Sequence, residues 1–185
     1  MYKRSNKQQV VFSLRQLSAG LFYHLENKTL DDISVTDICK RAGLSRRTFY
    51  RNCEEKEDLI RFSTEVLVRK QLSQVDFTSV DAYSLYSDFF FYWDKHRDFL
   101  RILYSGSLFD LFLQEFVRIT CNDMRYPLQE KTLEACNDKN QKRRFSNAFI
   151  IGGLGQMLAM WAEEGFKTRP EEIAESIVFL APAFL

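Results

Sequence analysis

The sequence predicts an all-α fold of about nine helices, and three observations lead to that prediction. Apolar residues recur at spacings of three and four along most of the chain, which is the period of an amphipathic helix. No stretch of any length alternates apolar and polar residues as a half-buried strand would. The 185 residues include only three prolines and seven glycines, which argues against an all-β fold. A chain of this length can bury a substantial core.

The first predicted helix carries one apolar stripe. Its members follow one another at steps of four or three residues: Val10, Leu14, Leu17, Leu21 and Leu25. We expect this helix to be the scaffold on which the next two helices pack. Residues 1–7 are polar and basic. They fit either a frayed terminus or an arm that lies along phosphates or enters a minor groove.

Residues 33–51 are predicted to form two short helices joined by a tight turn. Ser34 can cap the first helix, and Asp37 follows at the spacing of a capping box. Gly43 suits the left-handed geometry in which helices often end. Ser45 can then cap the second helix. The first helix has one apolar face, made of Val35, Ile38, Cys39 and Ala42.

The second of these short helices has a cationic outer face. Phe49 is its buried anchor, and the other positions carry positive charge or hydroxyl groups: Arg46, Arg47, Thr48, Tyr50 and Arg51. Five cations and no acidic residue lie between Lys40 and Arg51. Such side chains meet phosphates and base edges. The pattern predicts a helix-turn-helix whose second helix reads DNA; the alternative is an ordinary helical hairpin with solvated charges.

Charge is distributed unevenly along the chain. Residues 1–51 contain ten Lys and Arg against four Asp and Glu, whereas residues 52–185 contain sixteen against twenty-one. A basic head on an acidic body fits a protein that binds nucleic acid with one end only. We therefore expect a helix-turn-helix DNA-binding domain at residues 1–53 and a second helical domain at residues 54–185.

The helix-turn-helix segment closely resembles the signature of TetR-family transcriptional regulators. The resemblance covers about the first third of the chain: it runs from Ile33 to Tyr50 and continues in Lys56-Glu57-Asp58-Leu59. It implies an N-terminal three-helix DNA-binding domain and a C-terminal helical domain for ligand binding and dimerisation. Two positions depart from the pattern. Asn52-Cys53 replaces a His-aromatic pair, and Glu55 replaces a small capping residue.

The resemblance and the residue chemistry together predict the DNA-contacting set. Arg46 and Arg47 are the candidates for guanine edges, and Arg51 could contact bases or phosphates. The family implies phosphate contacts at matching positions. The full set is Thr36, Ser45, Arg46, Arg47, Thr48, Tyr50, Arg51 and Lys56.

A helix rich in small residues is predicted from about residue 142 to 165. Its Gly152-Gly153-Leu154-Gly155 run has no preceding strand and lacks G-x-G-x-x-G spacing, so we do not interpret it as a nucleotide loop. Glycine inside a helix costs about 1 kcal/mol per site, and close approach of another helix would explain three of them. This C-terminal region also resembles that of regulators common in low-GC Gram-positive bacteria.

In the TetR family the last two helices of each subunit form a four-helix dimer interface. The residues expected there are Phe145, Phe149, Gly152, Gly153, Gln156, Met160, Ile173, Ile177 and Leu180. Packing within one subunit is the alternative. Pairing of two subunits would double the contacts with a near-palindromic operator.

The chain is rich in aromatic residues, with 17 Phe, 8 Tyr and 2 Trp. A well-filled core accounts for most of them. The family often holds a small-molecule effector between the middle helices, and an effector regulates only if it prefers the non-binding state. The candidate wall residues are Tyr86, Phe90, Trp93, Tyr104, Phe112 and Phe116. The acidic body favours an apolar or cationic effector over an anion.

Other functional classes find little support in the sequence. The four cysteines show no CxxC spacing and the two histidines lie far apart, so no metal site and no cofactor are expected. No catalytic constellation is recognisable, which argues against an enzyme. The sequence contains no run of about 18 apolar residues, so no membrane span is expected. We expect a cytoplasmic bacterial protein, at the nucleoid when DNA-bound, with reduced thiols; a redox-sensing cysteine is the alternative.

The sequence therefore predicts a homodimeric regulator of transcription, most simply a repressor that a small molecule releases from its operator. A DNA-binding protein without an effector, acting through a protein partner or organising DNA, is the competing hypothesis. A filled body would favour the second hypothesis, and a closed apolar cavity would favour the first.

Overall fold

The computed structural model of the protein describes residues 8–75, 81–121 and 139–180. In these three ranges the chain forms nine α-helices and no strand, which confirms the predicted fold class. The predicted N-terminal arm at residues 1–7 lies outside the described residues. The helices are α1 (Gln8–Leu25), α2 (Val35–Ala42), α3 (Arg46–Asn52), α4 (Glu57–Gln74), α5 (Ala82–Asp94), α6 (Arg97–Ser105), α7 (Phe109–Cys121), α8 (Lys139–Glu163) and α9 (Pro170–Leu180).

Helix α1 is the scaffold of the N-terminal head. The four leucines of its predicted stripe are buried, and Val10 is half-buried. Helix α2 crosses α1 so closely that a Cβ added at Gly20 would lie 2.8 Å from the carbonyl oxygen of Ile38. Any side chain at Gly20 would collide with rigid backbone, so this glycine is required for the crossing. Ser18 adds a hydrogen bond to the carbonyl of Leu59 at 3.3 Å and thereby joins α1 to α4.

The two short helices begin and end where the sequence predicts. Ser34 Oγ accepts from the backbone N–H of Asp37 at 3.1 Å, and the Asp37 carboxylate accepts from the N–H of Ser34 at 3.2 Å. This is the predicted capping box. Gly43 has φ 65°, the left-handed geometry expected at the end of α2. Ser45 Oγ accepts from the N–H of Thr48 at 3.1 Å and caps α3.

The body is organised around α4 and a cluster of aromatic rings. Helix α4 packs on α1 and on α7, α5 packs on α9, and α7 packs on α8. Trp93 and Phe112 meet edge to face with ring centroids 5.2 Å apart, and Phe112 stacks on Phe116 at 5.6 Å. Phe90 meets Trp161 of α8 at 5.9 Å. These rings close the centre of the body.

The six predicted pocket-wall residues lie in different surroundings. Phe90, Trp93 and Phe112 are fully buried against other rings and do not line the cleft described below. Tyr104 lies on the surface of α6, where its ring meets that of Phe109 with centroids 6.1 Å apart. Helical spacing placed these aromatics on inner faces, but neighbouring helices fill the space in front of them. Tyr86 and Phe116 remain as lining residues of a cleft, as described below.

Candidate nucleic-acid interface

The outer face of α3 is the surface predicted to meet DNA. At 3.6 residues per turn, Arg47 lies in the middle of that face, with Tyr50 and Arg51 on either side of it. Phe49 points the opposite way and is fully buried. Arg46 lies at the edge of the outer face, and all three arginines are exposed. None of them forms an ion pair with a described residue, so their guanidinium groups can meet an external anion.

Hydroxyl groups lie at the starts of α2 and α3. Thr36 is exposed in the first turn of α2. At the start of α3, Ser45 Oγ and Thr48 Oγ1 lie 3.0 Å apart, so the two hydroxyls bond to each other as well as serving the cap. Helix starts also carry backbone N–H groups without an intrahelical partner. The predicted hydroxyl-bearing residues are thus found next to potential backbone donors.

Lys56 has a role inside the protein that the sequence did not reveal. Its Nζ donates to the carbonyl oxygen of Leu30 at 2.5 Å and to that of Ile33 at 2.8 Å. Both carbonyls belong to the segment between α1 and α2. Lys56 therefore ties the start of α4 to the base of the helix-turn-helix. An ammonium group has three N–H donors, so one remains for the predicted phosphate contact.

Asp58 organises the junction between α3 and α4. Its buried carboxylate accepts from the backbone N–H of Glu54 at 2.9 Å and from that of Glu55 at 3.4 Å. Arg61 binds Glu55 at 2.6 Å and Asp58 at 3.0 Å. Glu55 occupies the position where the family commonly has a small capping residue. Asp58 and Arg61 instead hold the segment that leads into α4, and the N-cap residue Lys56 makes no side-chain capping hydrogen bond.

The other departure from the family pattern closes the end of α3. Asn52 is buried, and its Nδ2 donates to the carbonyl oxygen of Thr48 at 2.9 Å. The backbone N–H of Cys53 donates to the carbonyl of Phe49 at 2.8 Å. Burial raises the pKa of the Cys53 thiol to about 12, so the thiol is neutral. Asn52 and Cys53 thus act as internal supports of α3.

A second exposed surface lies on α8. Phe145, Phe149 and Met160 are 70, 68 and 52 % exposed. A Cβ added at Gly152 or Gly153 would meet no described atom within 4 Å. Large apolar side chains therefore flank a stretch of bare helix backbone. Gln156, also predicted for this surface, is exposed as well.

Gly155 belongs to a different face of the same helix. A Cβ added there would lie 2.8 Å from Leu113 Cδ2 of α7. The close approach predicted for the three glycines is thus satisfied inside the subunit at Gly155 only. On α9, Ile173 is buried and Ile177 half-buried against the subunit core, whereas the sequence predicted both for the dimer interface. Phe179, which was not among the predicted interface residues, is 84 % exposed.

The predicted Leu180 side chain lies outside the described residues. Helix α9 turns its inner face to α5, and this inner face takes Ile173 and Ala174. The exposed apolar surface of the last two helices consists of Phe145, Phe149 and Met160 beside Gly152 and Gly153 on α8, and of Phe179 on α9. We call it the α8–α9 face.

A cleft of about 220 Å³ lies between the second half of α4 and the length of α5. Phe89, Tyr92, Phe116 and Leu154 contribute apolar lining, with Phe116 from α7 and Leu154 from α8. Tyr92 Oη donates to the carbonyl of Leu67 at 2.7 Å and so fixes α5 to α4. The cleft is open to solvent, and two of the six predicted wall residues, Tyr86 and Phe116, line it.

Within the described ranges, no group of three His, Cys, Asp or Glu side chains could hold a metal ion. In the same part of the chain, no helix is long and apolar enough to cross a bilayer.

Comparison with known proteins assigns the chain to a family. Residues 81–182 match the TetR_C_8 family model, described as a transcriptional regulator C-terminal region. This match covers more than half of the chain. The chain belongs to the TetR family of transcriptional regulators. The predicted resemblance is thereby confirmed from the half of the chain that does not contain the helix-turn-helix.

Relatives of this TetR-family regulator support the assignment. It is 31 % identical over 104 residues to YvdT, an uncharacterized HTH-type transcriptional regulator of Bacillus subtilis (strain 168). The alignment spans about half of both proteins, 51 % of this chain and 53 % of YvdT.

Solved structures share the fold of this TetR-family regulator. Lin0861 from Listeria innocua has a TM-score of 0.69 at 16 % identity, covering 100 % of this chain and 97 % of that one. The fatty acid degradation regulator FadR from Bacillus halodurans has a TM-score of 0.55 at 15 % identity, covering 96 % of each chain. The TetR family repressor AlkX from Dietzia sp. strain DQ12-45-1b has a TM-score of 0.50 at 15 % identity, covering 92 % and 94 %.

Proposed function

We propose that this regulator is a repressor that binds a palindromic DNA operator as a homodimer and is released by a small molecule. One observation carries the proposal. Helix α3 is capped at Ser45, anchored by Phe49 and presents Arg47, Tyr50 and Arg51 outward without acidic partners among the described residues. A fixed helix with a cationic face is what major-groove reading requires. In this proposal residues 1–53 read DNA.

The position of each side chain suggests its role on DNA. Arg47, at the middle of the outer face, is the first candidate for a guanine edge, and Arg46 is the second. Arg51 can reach a base or a phosphate. The expected phosphate contacts come from the starts of α2 and α3 and from the outer face: Thr36, Ser45, Thr48 and Tyr50. Lys56 contributes at most one N–H beside its two internal hydrogen bonds.

Titration of the protein with the DNA upstream of its own gene tests this proposal. Fluorescence anisotropy would compare that DNA with a scrambled duplex at low and at physiological salt. We expect the specific complex to survive physiological salt. Arg47→Ala should weaken it about 5- to 150-fold, as expected for loss of one bidentate base contact. Arg97→Ala, on the exposed surface of α6, is the matched charge control and should change little.

Equal binding to both duplexes that collapses with added salt would refute specific operator reading and indicate non-specific binding. No binding at low salt would refute the assignment of α3 as the reading helix. Unequal effects of Arg46→Ala and Arg47→Ala would show which arginine reads the base.

The α8–α9 face supports the homodimer part of the proposal. Glycines at Gly152 and Gly153 are unfavourable in an isolated helix, and no described atom of the same subunit uses the space above them. Exposed Phe145, Phe149 and Met160 surround that space. Contiguous exposed apolar side chains mark interaction sites. A second copy of α8 against this face would bury them and would explain why the glycines are bare.

The body offers support for both views of an effector. The aromatic cluster around Trp93 packs three of the predicted wall residues against one another, which favours a DNA-binding protein without an effector. The cleft between α4 and α5 favours a ligand-responsive regulator, since it contacts the helix that begins at the reading head. We propose that an effector bound in this cleft releases the protein from DNA. A search for ligands that dissociate the DNA complex decides between the two.

A further inference from the structure

The cleft between α4 and α5 has charged groups at opposite ends. Asp88 and Lys95 both line it and lie seven residues apart on α5, which is about 10 Å along the helix axis. Phe89, Tyr92 and Phe116 lie between them as apolar lining. A ligand can therefore meet one charged end and the apolar middle together.

Lys95 is the cation that lines one end of the cleft. The pKa of the adjacent His96 is lowered by its burial and then by the charges of Lys70 and Lys95, so the field at this residue is positive. Lys70 and Lys95 are exposed, and neither forms an ion pair with a described residue. Asp94, next to Lys95, is instead turned toward Arg97, with Oδ1 3.8 Å from its guanidinium. The positive charge at this end is therefore not neutralised by an acidic neighbour.

Helix geometry explains only part of this arrangement. Lys95 is the residue at the C-terminal end of α5, where a cation is favourable beside the helix dipole. Lys70 lies outside the last turn of α4, so the dipole does not account for its position. Lys95 lines the groove itself, and the charge of Lys70 on α4 acts on the neighbouring His96. Convergent polar groups beside an apolar surface are typical of a small-molecule site.

The walls of the cleft are held in place by buried hydrogen bonds. Tyr92 Oη donates to the carbonyl of Leu67 at 2.7 Å, and Gln71 Nε2 donates to the carbonyl of Phe89 at 3.5 Å. Both polar side chains are more than nine-tenths buried. They join α4 to α5 from opposite directions, so the groove is built by the fold rather than by exposed loops.

We propose that this cleft binds a small amphipathic carboxylate, with the carboxylate at Lys95 and the apolar body on Phe89, Tyr92 and Phe116, and that the charge of Lys70 adds to the attraction. This inference rests on the proposed effector-responsive function and names the ligand class. It replaces the apolar or cationic effector expected from the acidic balance of the whole body. Local charge decides because the Debye length is about 8 Å at physiological salt. The volume of about 220 Å³ favours a single ring or a short chain.

Isothermal titration calorimetry with matched ligands tests the proposal on the full chain. The anionic probes are benzoate, phenylacetate and hexanoate; benzylamine and benzyl alcohol share the ring but carry positive or no charge. Inorganic phosphate tests whether charge alone is sufficient. We expect binding of at least one carboxylate and much weaker binding of benzylamine, benzyl alcohol and phosphate.

Substitutions locate the site. Lys95→Gln should weaken carboxylate binding about tenfold or more, as expected for loss of a hydrogen bond to a charged group. Lys70→Gln should weaken it in the same direction. Lys167→Gln, at an exposed position between α8 and α9, removes the same charge outside the cleft and should bind like the parent protein.

Four results would overturn the proposal: binding of no carboxylate, equal or tighter binding of benzylamine, equal binding of phosphate, or no effect of Lys95→Gln. Operator titration of the same preparation separates this inference from the proposed function. Specific DNA binding without carboxylate binding would overturn the ligand class alone. Carboxylate binding without DNA binding would instead refute the proposed function.

Discussion

The three glycines of α8 allow a sharp test of the proposed dimer. Gly153→Ala adds a methyl group where no described atom lies within 4 Å, whereas Gly155→Ala places it 2.8 Å from Leu113 Cδ2. The two substitutions are chemically identical, two residues apart on one helix, and they point to different faces. Gly153→Ala should therefore affect association of the subunits, whereas Gly155→Ala should affect packing in the subunit core.

The expected magnitudes follow from helix propensity and packing. Alanine is favoured over glycine inside a helix by about 1 kcal/mol, which raises Tm by about 2–4 °C in a chain of this size. An isolated subunit of Gly153→Ala should show that gain. If two copies of α8 meet at Gly153, each added methyl overpacks the contact at a cost of about 1–3 kcal/mol. The dimer would then dissociate at least about tenfold more readily.

Gly155→Ala should behave differently. The added methyl would force Leu113 aside, with a packing cost of about 1–3 kcal/mol set against the helical gain of about 1 kcal/mol. We expect unchanged dimerisation and a Tm that is equal or lower. Phe116, whose ring lies 3.8 Å from the added atom, limits how far Leu113 can move.

Sedimentation equilibrium over a dilution series would measure association, and thermal unfolding monitored by circular dichroism would measure stability. Weakened association in Gly153→Ala, with intact association in Gly155→Ala, is the expected result. A parent protein that stays monomeric at all concentrations, or a Gly153→Ala variant that gains stability without any change in association, would refute the proposed dimer face. A higher Tm for Gly155→Ala would contradict the packing of α8 on α7.

Three further predictions concern the reading head. Lys56→Met should lower the free energy of unfolding, measured with denaturant, by about 1–3 kcal/mol, because the carbonyls of Leu30 and Ile33 lose their donor. If Lys56 instead binds only DNA, the free energy of unfolding will be unchanged, and the slope of log K for DNA binding against log salt will fall in magnitude by about 0.9. Ser34→Ala should destabilise by about 1 kcal/mol. Hydrogen bonds from the Ser34 side chain and backbone lower the pKa of Asp37. The Asp37 carboxylate therefore stabilises the fold fully above the ordinary pKa of an aspartate, and this stabilisation is lost as the pH falls through the lowered pKa. Asp37→Asn should flatten the acid limb of a stability–pH curve. Burial raises the pKa of Cys53 to about 12 and also raises that of Cys39. Neither thiol should therefore react with iodoacetamide at pH 8 until denaturant is added. Rapid labelling of either cysteine in the native protein, detected by mass spectrometry, would contradict the packing of the head.

The parts of the structure that the sequence predicted are those encoded by local spacing. The capping box of Ser34 and Asp37 involves residues three apart, and the left-handed Gly43 follows from the end of one apolar face. Phe49 is buried because it is the large apolar residue in a short cationic helix. For the capping box and Gly43 the partners lie within one helical turn, and for Phe49 the pattern of its own helix identifies the buried position, so no knowledge of the tertiary structure was needed.

The contacts that escaped prediction involve partners far apart in the chain. The acceptors of Lys56 are main-chain carbonyls 23 and 26 residues earlier, and every residue has such a carbonyl. The aromatic pattern of α5 and α7 likewise identified inner faces but not what fills the space in front of them. Gly153 and Gly155 look equivalent in the sequence. About 200° of helical rotation separates them, and only the position of α7 shows which one is covered.

Helix α4 connects the two proposed sites, and its geometry limits how one can act on the other. Its 18 residues span about 27 Å. At one end, Lys56 and Asp58 bind the backbone of the head; toward the other, Leu67 and Gln71 hold α5. A ligand between α4 and α5 contacts no part of α3, so it can change DNA binding by moving or tilting α4. Lys56 and Asp58 would transmit that motion, and a variant that loosens their contacts should uncouple ligand binding from DNA release while leaving the cleft able to bind.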